Sequence, residues 1–220
     1  MSVIYTIDIE PTTVCNLKCP FCFGPKIESV KGELSLKTWK ETIVRFKKMG
    51  VQNVVISGGE PLLYKNIEEL VKFIKQNSLS IVLSTHGRFR SRLLRIVKYC
   101  DWISLPIDGY KNETAHTLRT DNVLNQEILE TAKLLKLKNP KIKIKIGTVA
   151  TKVNLNEIEH INSLLDKYLG VFDTWKIYQY TPRRKYKENS DYLSIEDKEY
   201  KELISKISVL NKNKRIVYSS

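Results

Sequence analysis

The chain has 220 residues, a formal net charge of +13 and 42% hydrophobic residues. That apolar content is enough for a sizeable buried core; the scarcity of proline and glycine excludes a long disordered linker, and the absence of a run of about 18 apolar residues excludes a membrane-spanning helix and a membrane partner. The charge indicates either an anionic partner, such as a nucleotide or phosphorylated metabolite, or a lysine- and glutamate-rich surface typical of heat-adapted proteins.

Short β-like runs alternate with longer helical patterns along the whole chain. Each β-like run is rich in Ile, Val, Leu, Thr or aromatic residues and is short enough to be a buried parallel strand. The predicted strands are Tyr5–Glu10, Asn53–Ser57, Ser80–Thr85, Trp102–Ile107, Ile142–Val149 and Trp175–Thr181.

Helical patterns with recognisable ends lie between these runs. One helix is predicted over Leu36–Met49, with Gly50 as the residue that ends it. The next is predicted to begin after Asn66, with Glu69 placed as in a capping box. The remaining helices are predicted near Ser91–Tyr99, near Asn122–Leu137, and from starts at Asn156 and Ser194.

Six β/α units in succession predict an α/β fold with a parallel sheet, because parallel strands need crossover connections. Right-handed crossovers curl such a series towards a barrel, and six units are too few to close one. We therefore expect a single domain, with a partial (β/α)6 TIM-type barrel over residues 1–181 and a basic segment and helix over 182–220. In such barrels the chemistry gathers where the strands end at their C-terminal side.

Three cysteines, Cys15, Cys19 and Cys22, follow the first predicted strand. The amino terminus lacks the basic and apolar segments of a signal peptide, so we expect a cytoplasmic protein in a reducing compartment. There, grouped thiols indicate a metal site rather than disulfides. Iron–sulfur clusters take soft thiolate ligands, and three ligands leave one iron of a four-iron cluster open to a small molecule. Structural zinc, which needs a fourth nearby ligand, and a buried group of cysteines without metal are the alternatives.

The C-x-x-x-C-x-x-C spacing, with aromatic Phe21 before the last cysteine, resembles the signature of the radical S-adenosylmethionine (SAM) superfamily. The resemblance implies a 4Fe-4S cluster on the three cysteines, with SAM on the open iron. It also implies reductive cleavage of SAM to a 5′-deoxyadenosyl radical that takes a hydrogen atom from the substrate, an oxidoreductase or transferase reaction. An electron donor such as ferredoxin or flavodoxin is then expected as a partner.

The second predicted strand ends in Gly58-Gly59-Glu60-Pro61, which is similar to the G-G-E-P motif of that superfamily. Two glycines allow close approach of the backbone to a ligand. The resemblance implies that Glu60 and the adjoining carbonyls receive the ammonium group of SAM through charge-assisted hydrogen bonds. An ordinary Gly-Gly turn with Pro61 opening a helix is the alternative.

Two further strand ends resemble the superfamily. Thr85-His86-Gly87 stands where relatives often carry T-N-G, so Thr85 is expected at the cofactor, and His86 either bonds cofactor or substrate or is a satisfied polar residue. Ser104 and Asp108 resemble positions near the ribose and methionine of SAM, and Arg119 matches an arginine that binds its carboxylate. The planar guanidinium suits that group, although a surface arginine is the alternative.

Substrate contacts are predicted from basic residues. Lys143 or Lys145 on the fifth strand is expected to point inward, which is costly for a lysine unless it meets an anion. Arg183 and Arg184 follow the sixth strand and are expected to grip phosphate or carboxylate groups, with a solvated basic face as the alternative. No catalytic side chain is identified.

The favoured substrate is a small anionic, nucleotide-like molecule. Cys19-Pro20-Phe21-Cys22-Phe23 near the start, together with Trp175-Lys176-Ile177-Tyr178-Gln179 on the sixth strand, is similar to the viperin-like nucleotide-modifying branch. A radical SAM enzyme that modifies a tRNA base or a peptide is the second hypothesis, and a non-catalytic metal-binding module is the third. Cys100, at the junction of a helix and a strand, is expected to be a buried structural thiol.

Overall fold

The computed structural model describes residues 5–24, 32–120, 125–182, 189–210 and 216–219. Within them the strands are β1 (Thr6–Ile9), β2 (Asn53–Ile56), β3 (Ser80–Ser84), β4 (Trp102–Pro106), β5 (Lys143–Ala150), β6 (Thr174–Gln179) and β7 (Ile216–Ser219). They form one sheet in chain order. Strands β1 to β4 pair in parallel, and so do β5 to β7. The predicted α/β fold with a parallel sheet is confirmed.

Helices connect most of these strands, as parallel pairing requires. They are α1 (Leu36–Lys48), α2 (Ile67–Gln76), α3 (Arg90–Ile96), α4 (Asn112–Arg119), α5 (Asn125–Lys138), α6 (Ile158–Asp166), α7 (Ser190–Leu193) and α8 (Asp197–Leu210). Short 3-10 turns cover Pro61–Leu63, Val97–Tyr99 and Leu155–Glu157.

The first four strands share a buried row of side chains. Ile9, Ile56, Leu83 and Ile103 are neighbours in register and all are buried. Alternate residues on the same strands are partly exposed, because successive side chains of a strand point to opposite faces. One face of this part of the sheet is therefore core, and the other is more open.

Helix α2 shows how the sequence pattern produces a core-facing helix. Its buried residues Ile67, Leu70, Val71 and Ile74 recur at the spacing of one helical face. The helix begins after Asn66 as predicted, but the Asn66 side chain makes no capping hydrogen bond, so the capping-box prediction is wrong.

Contacts divide the described chain into two compact units. The first unit comprises Met1–Asn16, Gly24–Ser104 and Lys133–Lys143, and the second comprises Leu17–Phe23, Leu105–Ala132 and Ile144–Ser220. The segment that carries the first three cysteines thus belongs to the first unit up to Asn16 and to the second from Leu17. That the chain folds as a single domain stays a prediction.

The structure contains elements that the sequence pattern did not predict. Strand β7 and helix α4 were both missed, and the helix predicted near Asn122–Leu137 is observed as α5 over Asn125–Lys138. Gly50 does follow α1, with a positive φ of 91°, as expected for a residue that ends a helix.

Candidate active site

In the first unit, the segment after β1 packs directly on the Gly58-Gly59 turn. The Gly59 amide donates to the Thr12 carbonyl at 2.9 Å, and the Glu60 amide donates to the Val14 carbonyl at 2.8 Å. A Cβ at Gly58 would overlap the Thr12 carbonyl oxygen, and one at Gly59 would overlap that of Val14. The close approach that the two glycines permit is thus made by the chain's own cysteine segment.

The carboxylate of Glu60 is the centre of a buried hydrogen-bond network in the first unit. Its side chain is 1% exposed. Oε1 accepts from the Leu62 amide at 3.0 Å and from the Thr85 hydroxyl at 2.7 Å, and Oε2 accepts from the His86 amide at 2.9 Å. Neutral donors from the end of β3 and from the 3-10 turn therefore hold this carboxylate in place.

The imidazole of His86 belongs to the same network. Its Nδ1 accepts from the Arg88 amide at 3.2 Å. The proton consequently lies on Nε2, which is 2.9 Å from Oδ1 of Asn16 and 3.2 Å from Oε2 of Glu60. His86 is thus a satisfied polar residue within the protein, and contact with a cofactor or substrate stays a prediction.

In the second unit, hydrogen bonds hold the remainder of the cysteine segment. The Cys22 amide donates to the Cys19 carbonyl at 3.1 Å. The Lys18 amide donates to the Thr120 hydroxyl at 2.9 Å, and the Asn189 amide group donates to the Pro20 carbonyl at 3.0 Å. The contacts made with Thr120 and Asn189 join residues distant in the chain and give the segment a defined path.

Arg119, at the end of α4, forms an ion pair with Asp108. Both Nε and Nη2 lie 2.5 Å from Oδ2 of Asp108. The guanidinium is also 5.0 Å from the centroid of the Phe21 ring, and the Cys19 thiol donates to the Arg119 carbonyl at 3.8 Å. Burial alone would lower the pKa of Arg119, but Asp108 and the thiols of Cys19 and Cys22 raise it above its ordinary value. The guanidinium therefore stays charged.

Asp108 itself is fixed from its other side. Its side chain is 0% exposed, and Oδ1 accepts from the Val149 amide at 2.7 Å. The fully buried Asn154 donates through Nδ2 to the carbonyls of Asp108 and Val149 at 2.6 and 2.8 Å. The turn after β4 is in this way tied to β5, and both carboxylate oxygens of Asp108 have partners within the chain.

A cationic group lies on one face of β5 and β6. Lys145 Nζ is 3.2 Å from the Tyr178 hydroxyl, and Lys176 Nζ is 4.7 Å from the centroid of the Tyr178 ring. All three side chains are half-buried. The residue of β5 that pairs with Lys176 of β6 is Gly147. Since glycine has no side chain, β5 places no side chain beside Lys176 at that position. Lys143 is exposed instead and lies over Trp102.

The cysteines differ in accessibility. Cys19 is buried, Cys15 is half-buried and Cys22 is exposed, and none of the four cysteines forms a disulfide. Within the described ranges, no three His, Cys, Asp or Glu side chains are grouped closely enough to hold a single metal ion. Cys100 is buried, which raises the pKa of its thiol to about 12 with a smaller contribution from Asp101. The prediction of a buried thiol at Cys100 is confirmed.

The other predicted site residues are placed as follows. Thr85 is buried on Glu60, and its hydroxyl also accepts from the Gly87 amide at 3.2 Å. Ser104 is half-buried on β4, where its carbonyl accepts from the Thr85 amide at 3.2 Å. Arg183 and Arg184 lie outside the described residues.

Comparison with protein families identifies the superfamily of the chain. The model of the Radical SAM superfamily matches residues 9–165, which contain the cysteine segment, the Gly58-Gly59 turn and Arg119. The chain belongs to the radical SAM superfamily. It is therefore an enzyme, and the cofactors of its superfamily are a 4Fe-4S cluster and SAM. No helix in the described part of the chain is long and apolar enough to cross a membrane.

Individual relatives of this radical SAM chain resemble it over most of its length. It is 28% identical to an S-adenosylmethionine-dependent nucleotide dehydratase of Flammeovirga pacifica, over 98% of this chain and 76% of that protein. It is 27% identical to a GTP 3′,8-cyclase of Aquifex aeolicus, over 94% of this chain and 63% of the cyclase. The chain spans less than two thirds of that cyclase, so the activity of the whole protein is a matter for proposal.

The fold of this radical SAM chain also occurs in solved structures. SuiB of Streptococcus suis bound to S-adenosylmethionine superimposes with a TM-score of 0.79 at 20% identity, over 98% of this chain and 50% of SuiB. A second SuiB structure, bound to the precursor peptide SuiA, has a TM-score of 0.75. At that identity the likeness concerns the fold alone, and it confirms the predicted partial-barrel architecture.

Sequence reasoning missed several residues that the structure brings into these networks. Asn16 and Asn154 had no motif to mark them, although Asn16 directly follows Cys15 and Asn154 lies in the loop after β5. Lys176 and Tyr178 could have been found from the strand period, because residues two apart on a strand point to the same face. In the parallel register Lys145 pairs with Thr174, so Lys176 and Tyr178 lie on the same face as Lys145.

Proposed function

We propose that this radical SAM enzyme acts on a nucleotide and removes water from it. The cationic group formed by Lys145, Lys176 and Tyr178 carries the proposal, because it offers two ammonium groups and a hydroxyl to one anionic ligand. The Flammeovirga and Aquifex relatives support it, since the names of both refer to nucleotides. We favour dehydration over cyclisation because the match to the dehydratase covers 98% of this chain and 76% of the dehydratase.

The two lysines are suited to phosphate. Among the described residues, neither Lys145 nor Lys176 forms an ion pair with a carboxylate. Half-buried ammonium groups are costly without an anionic partner. Phosphate oxygens accept charge-assisted hydrogen bonds from lysine, and the Tyr178 hydroxyl adds a neutral donor. We assign the phosphate groups of the substrate to this face, with Arg183 and Arg184 as additional predicted contacts.

The chemistry of the cysteine donors is compatible with the superfamily's cluster. We propose Cys15, Cys19 and Cys22 as its ligands, because three soft thiols within one short segment match the ligand preference of iron–sulfur clusters. Each ligand of a four-iron cluster binds a different iron, so the thiols need not meet around one ion. When bound, the cluster and SAM supply the radical that takes a hydrogen atom from the substrate.

Within this proposal Arg119 binds the carboxylate of SAM. Its side chain is 23% exposed, whereas that of its partner Asp108 is 0% exposed. A guanidinium that is pre-oriented by one carboxylate retains other N–H groups for a second. Because Asp108 already uses both oxygens within the chain, we propose that it orients Arg119 rather than receiving the ribose.

The remaining cofactor assignments follow the same logic. Glu60 and Thr85 hold each other, so we propose that the ammonium group of SAM meets the carbonyls around Gly58 and Gly59 rather than the Glu60 carboxylate. We propose that Phe21 stabilises the position of Arg119 through a cation–π contact, with the guanidinium carbon 5.0 Å from the ring centroid. For Ser104 we propose the predicted position near SAM. The chain's own contribution is to orient these groups and to exclude water around them.

The test is a reaction under anaerobic conditions with reconstituted protein, dithionite, SAM and a panel of nucleoside triphosphates. We expect one nucleotide to increase 5′-deoxyadenosine formation and to yield a product that is lighter by one water in mass spectrometry. A Cys19→Ala variant should form neither product. If no nucleotide raised 5′-deoxyadenosine above its substrate-free level while a peptide or tRNA did, the nucleotide assignment would be wrong.

Matched lysine variants test the phosphate assignment. Lys145→Gln and Lys176→Gln should each raise KM for the nucleotide about tenfold or more, since one charge-assisted hydrogen bond contributes about 1.5–3 kcal/mol. Lys141→Gln, which changes an exposed lysine just before β5, is the control and should leave KM unchanged. Equal effects from all three variants would mean that only the overall charge matters.

The electron donor remains a proposal as well. A ferredoxin or flavodoxin is the expected reductant, because reductive cleavage of SAM needs one electron at low potential. The same reductant supplies a second electron to the nucleotide, since loss of a hydrogen atom to 5′-deoxyadenosine and of hydroxide would leave it one electron short of the dehydrated product. Replacement of dithionite by reduced flavodoxin should sustain nucleotide-dependent turnover, measured as 5′-deoxyadenosine formed per minute.

A further inference from the structure

We propose that His86 is a positioning residue that holds Asn16, and with it the part of the cysteine segment that carries Cys15. The inference rests on a hydrogen bond of 2.9 Å between His86 Nε2 and Asn16 Oδ1, within the first unit. It also rests on the proposed role of Cys15 as a cluster ligand.

The imidazole is fixed at both nitrogens. The Arg88 amide donates to Nδ1 at 3.2 Å, so Nε2 carries the proton and is the donor. Oε2 of Glu60 lies 3.2 Å from the same Nε2, and the ring packs on Phe89 with centroids 5.5 Å apart. With its side chain only 5% exposed, His86 has little freedom to turn away from Asn16.

Asn16 needs such an anchor, because it is exposed and carries a side chain that would otherwise rotate in solvent. The preceding residues of the segment are held through their carbonyls, with Thr12 accepting from Gly59 and Val14 accepting from Glu60. Asn16 is held through its side chain instead. Cys15 therefore lies between two anchored residues, Val14 on one side and Asn16 on the other.

The Glu60–His86 network supplies the anchors on both sides of Cys15. Glu60 contributes its amide to Val14 and its carboxylate to the backbone of His86, and the ring of His86 continues to Asn16. Groups that orient a metal ligand in this way, without touching the metal, alter metal affinity about 10- to 100-fold when they are removed. A positioning role for His86 thus predicts an effect on the cluster as well as on the apoprotein.

The first measurement uses the apoprotein. ¹⁵N NMR of labelled histidine should show one of the three imidazoles as the neutral Nε2–H tautomer, and its Nε2 signal should shift in Asn16→Ala. The exposed His160 serves as the control residue, and His160→Ala should leave that signal in place. A His86 signal typical of the Nδ1–H tautomer would overturn the proposal.

The second measurement follows the reconstituted cluster. His86→Ala and Asn16→Ala should each increase the rate of cluster loss to a chelator about tenfold and alter the electron paramagnetic resonance signal of the reduced cluster. His86→Gln should restore much of the retention, because its amide can still donate to Asn16. The double variant should be no worse than either single variant, since the two residues act through one bond.

Two results separate a failure of this inference from a failure of the ligand assignment. Additive effects of His86→Ala and Asn16→Ala, in a protein whose cluster is abolished by Cys15→Ala, would overturn the positioning role alone. Retention of the cluster in Cys15→Ala would overturn Cys15 as a ligand, and the proposal for His86 with it.

Discussion

Each of the two units has a buried carboxylate close to its part of the cysteine segment, and the two carboxylates have different partners. In the first unit, Glu60 accepts from two backbone amides and from the Thr85 hydroxyl, and His86 Nε2 lies 3.2 Å from its Oε2. In the second, Asp108 faces the guanidinium of Arg119. The Glu60 carboxylate binds backbone amides from two segments, whereas the Asp108 carboxylate orients a guanidinium. The difference predicts which unit is more sensitive to the loss of a charge.

The largest effect is expected in the second unit. Asp108→Asn leaves the Arg119 guanidinium without its anionic partner. Breaking a fully buried ion pair costs about 3–5 kcal/mol, and since Arg119 is 23% exposed we expect a cost of about 3 kcal/mol, at the lower end of that range. The free energy of unfolding of the apoprotein, from urea titration, measures it. As a control, Lys206→Ala breaks an exposed pair with Glu159, whose side chains are 67% and 47% exposed, and should cost about 0.5 kcal/mol or less.

A smaller effect is expected from Glu60→Gln in the first unit. The side-chain amide of the new glutamine has one oxygen instead of two, so its NH2 group faces a donor that the carboxylate accepted from, such as the His86 amide. A buried polar group that loses its partner in this way costs about 1–3 kcal/mol. The same urea titration gives the value. A cost above that of Asp108→Asn would contradict the contrast between the two units.

Gly58 in the first unit and Gly170 in the second test whether packing or backbone conformation matters more at a glycine with positive φ. Gly58 has a φ of 116° and Gly170 a φ of 89°, so alanine is strained at both positions. Only at Gly58 would the added Cβ meet another part of the chain, the Thr12 carbonyl. Gly58→Ala should therefore destabilise more than Gly170→Ala, by about 1–3 kcal/mol in thermal unfolding. Equal costs would remove the packing argument.

The smallest effect concerns the thiols. Cys100 in the first unit is buried with a pKa of about 12, whereas Cys22 in the second is exposed. Iodoacetamide at pH 8 should modify Cys22 of the apoprotein and leave Cys100 intact until the chain unfolds, as mass spectrometry can map.

The raised pKa of Cys100 also makes the free energy of unfolding decrease at high pH. The unfolded thiol ionises near 9.0 and the folded one near 12, so its contribution is present below pH 9.0 and is lost as the pH rises towards 12. Cys100→Ala should make the fall in unfolding temperature between these pH values less steep than in the unsubstituted chain. An identical slope in both proteins would contradict the assignment.

The fold class and the superfamily were accessible from the sequence because local patterns determine both. Strand runs such as Asn53–Ile56 and the apolar spacing of α2 express the periods of their elements directly. The cysteine spacing and the Gly58-Gly59-Glu60 turn are contiguous, and close spacing in the chain constrains residues in space without knowledge of the fold. The missed β7 and α4 are short, so they rest on tertiary packing rather than on a long periodic pattern.

The partners of each polar side chain were decided only by the tertiary structure. Glu60, Asp108 and Arg119 were predicted to contact SAM. The sequence contains nothing to indicate that the Thr85 hydroxyl would donate to Glu60 or that the Val149 amide would donate to Asp108. Hydrogen bonds between residues 25 to 70 positions apart depend on which strand ends become neighbours, as for His86 and Asn16. A sequence motif thus determines which chemical groups are present, while the packing of distant segments determines which of them are already engaged and which remain to bind a ligand.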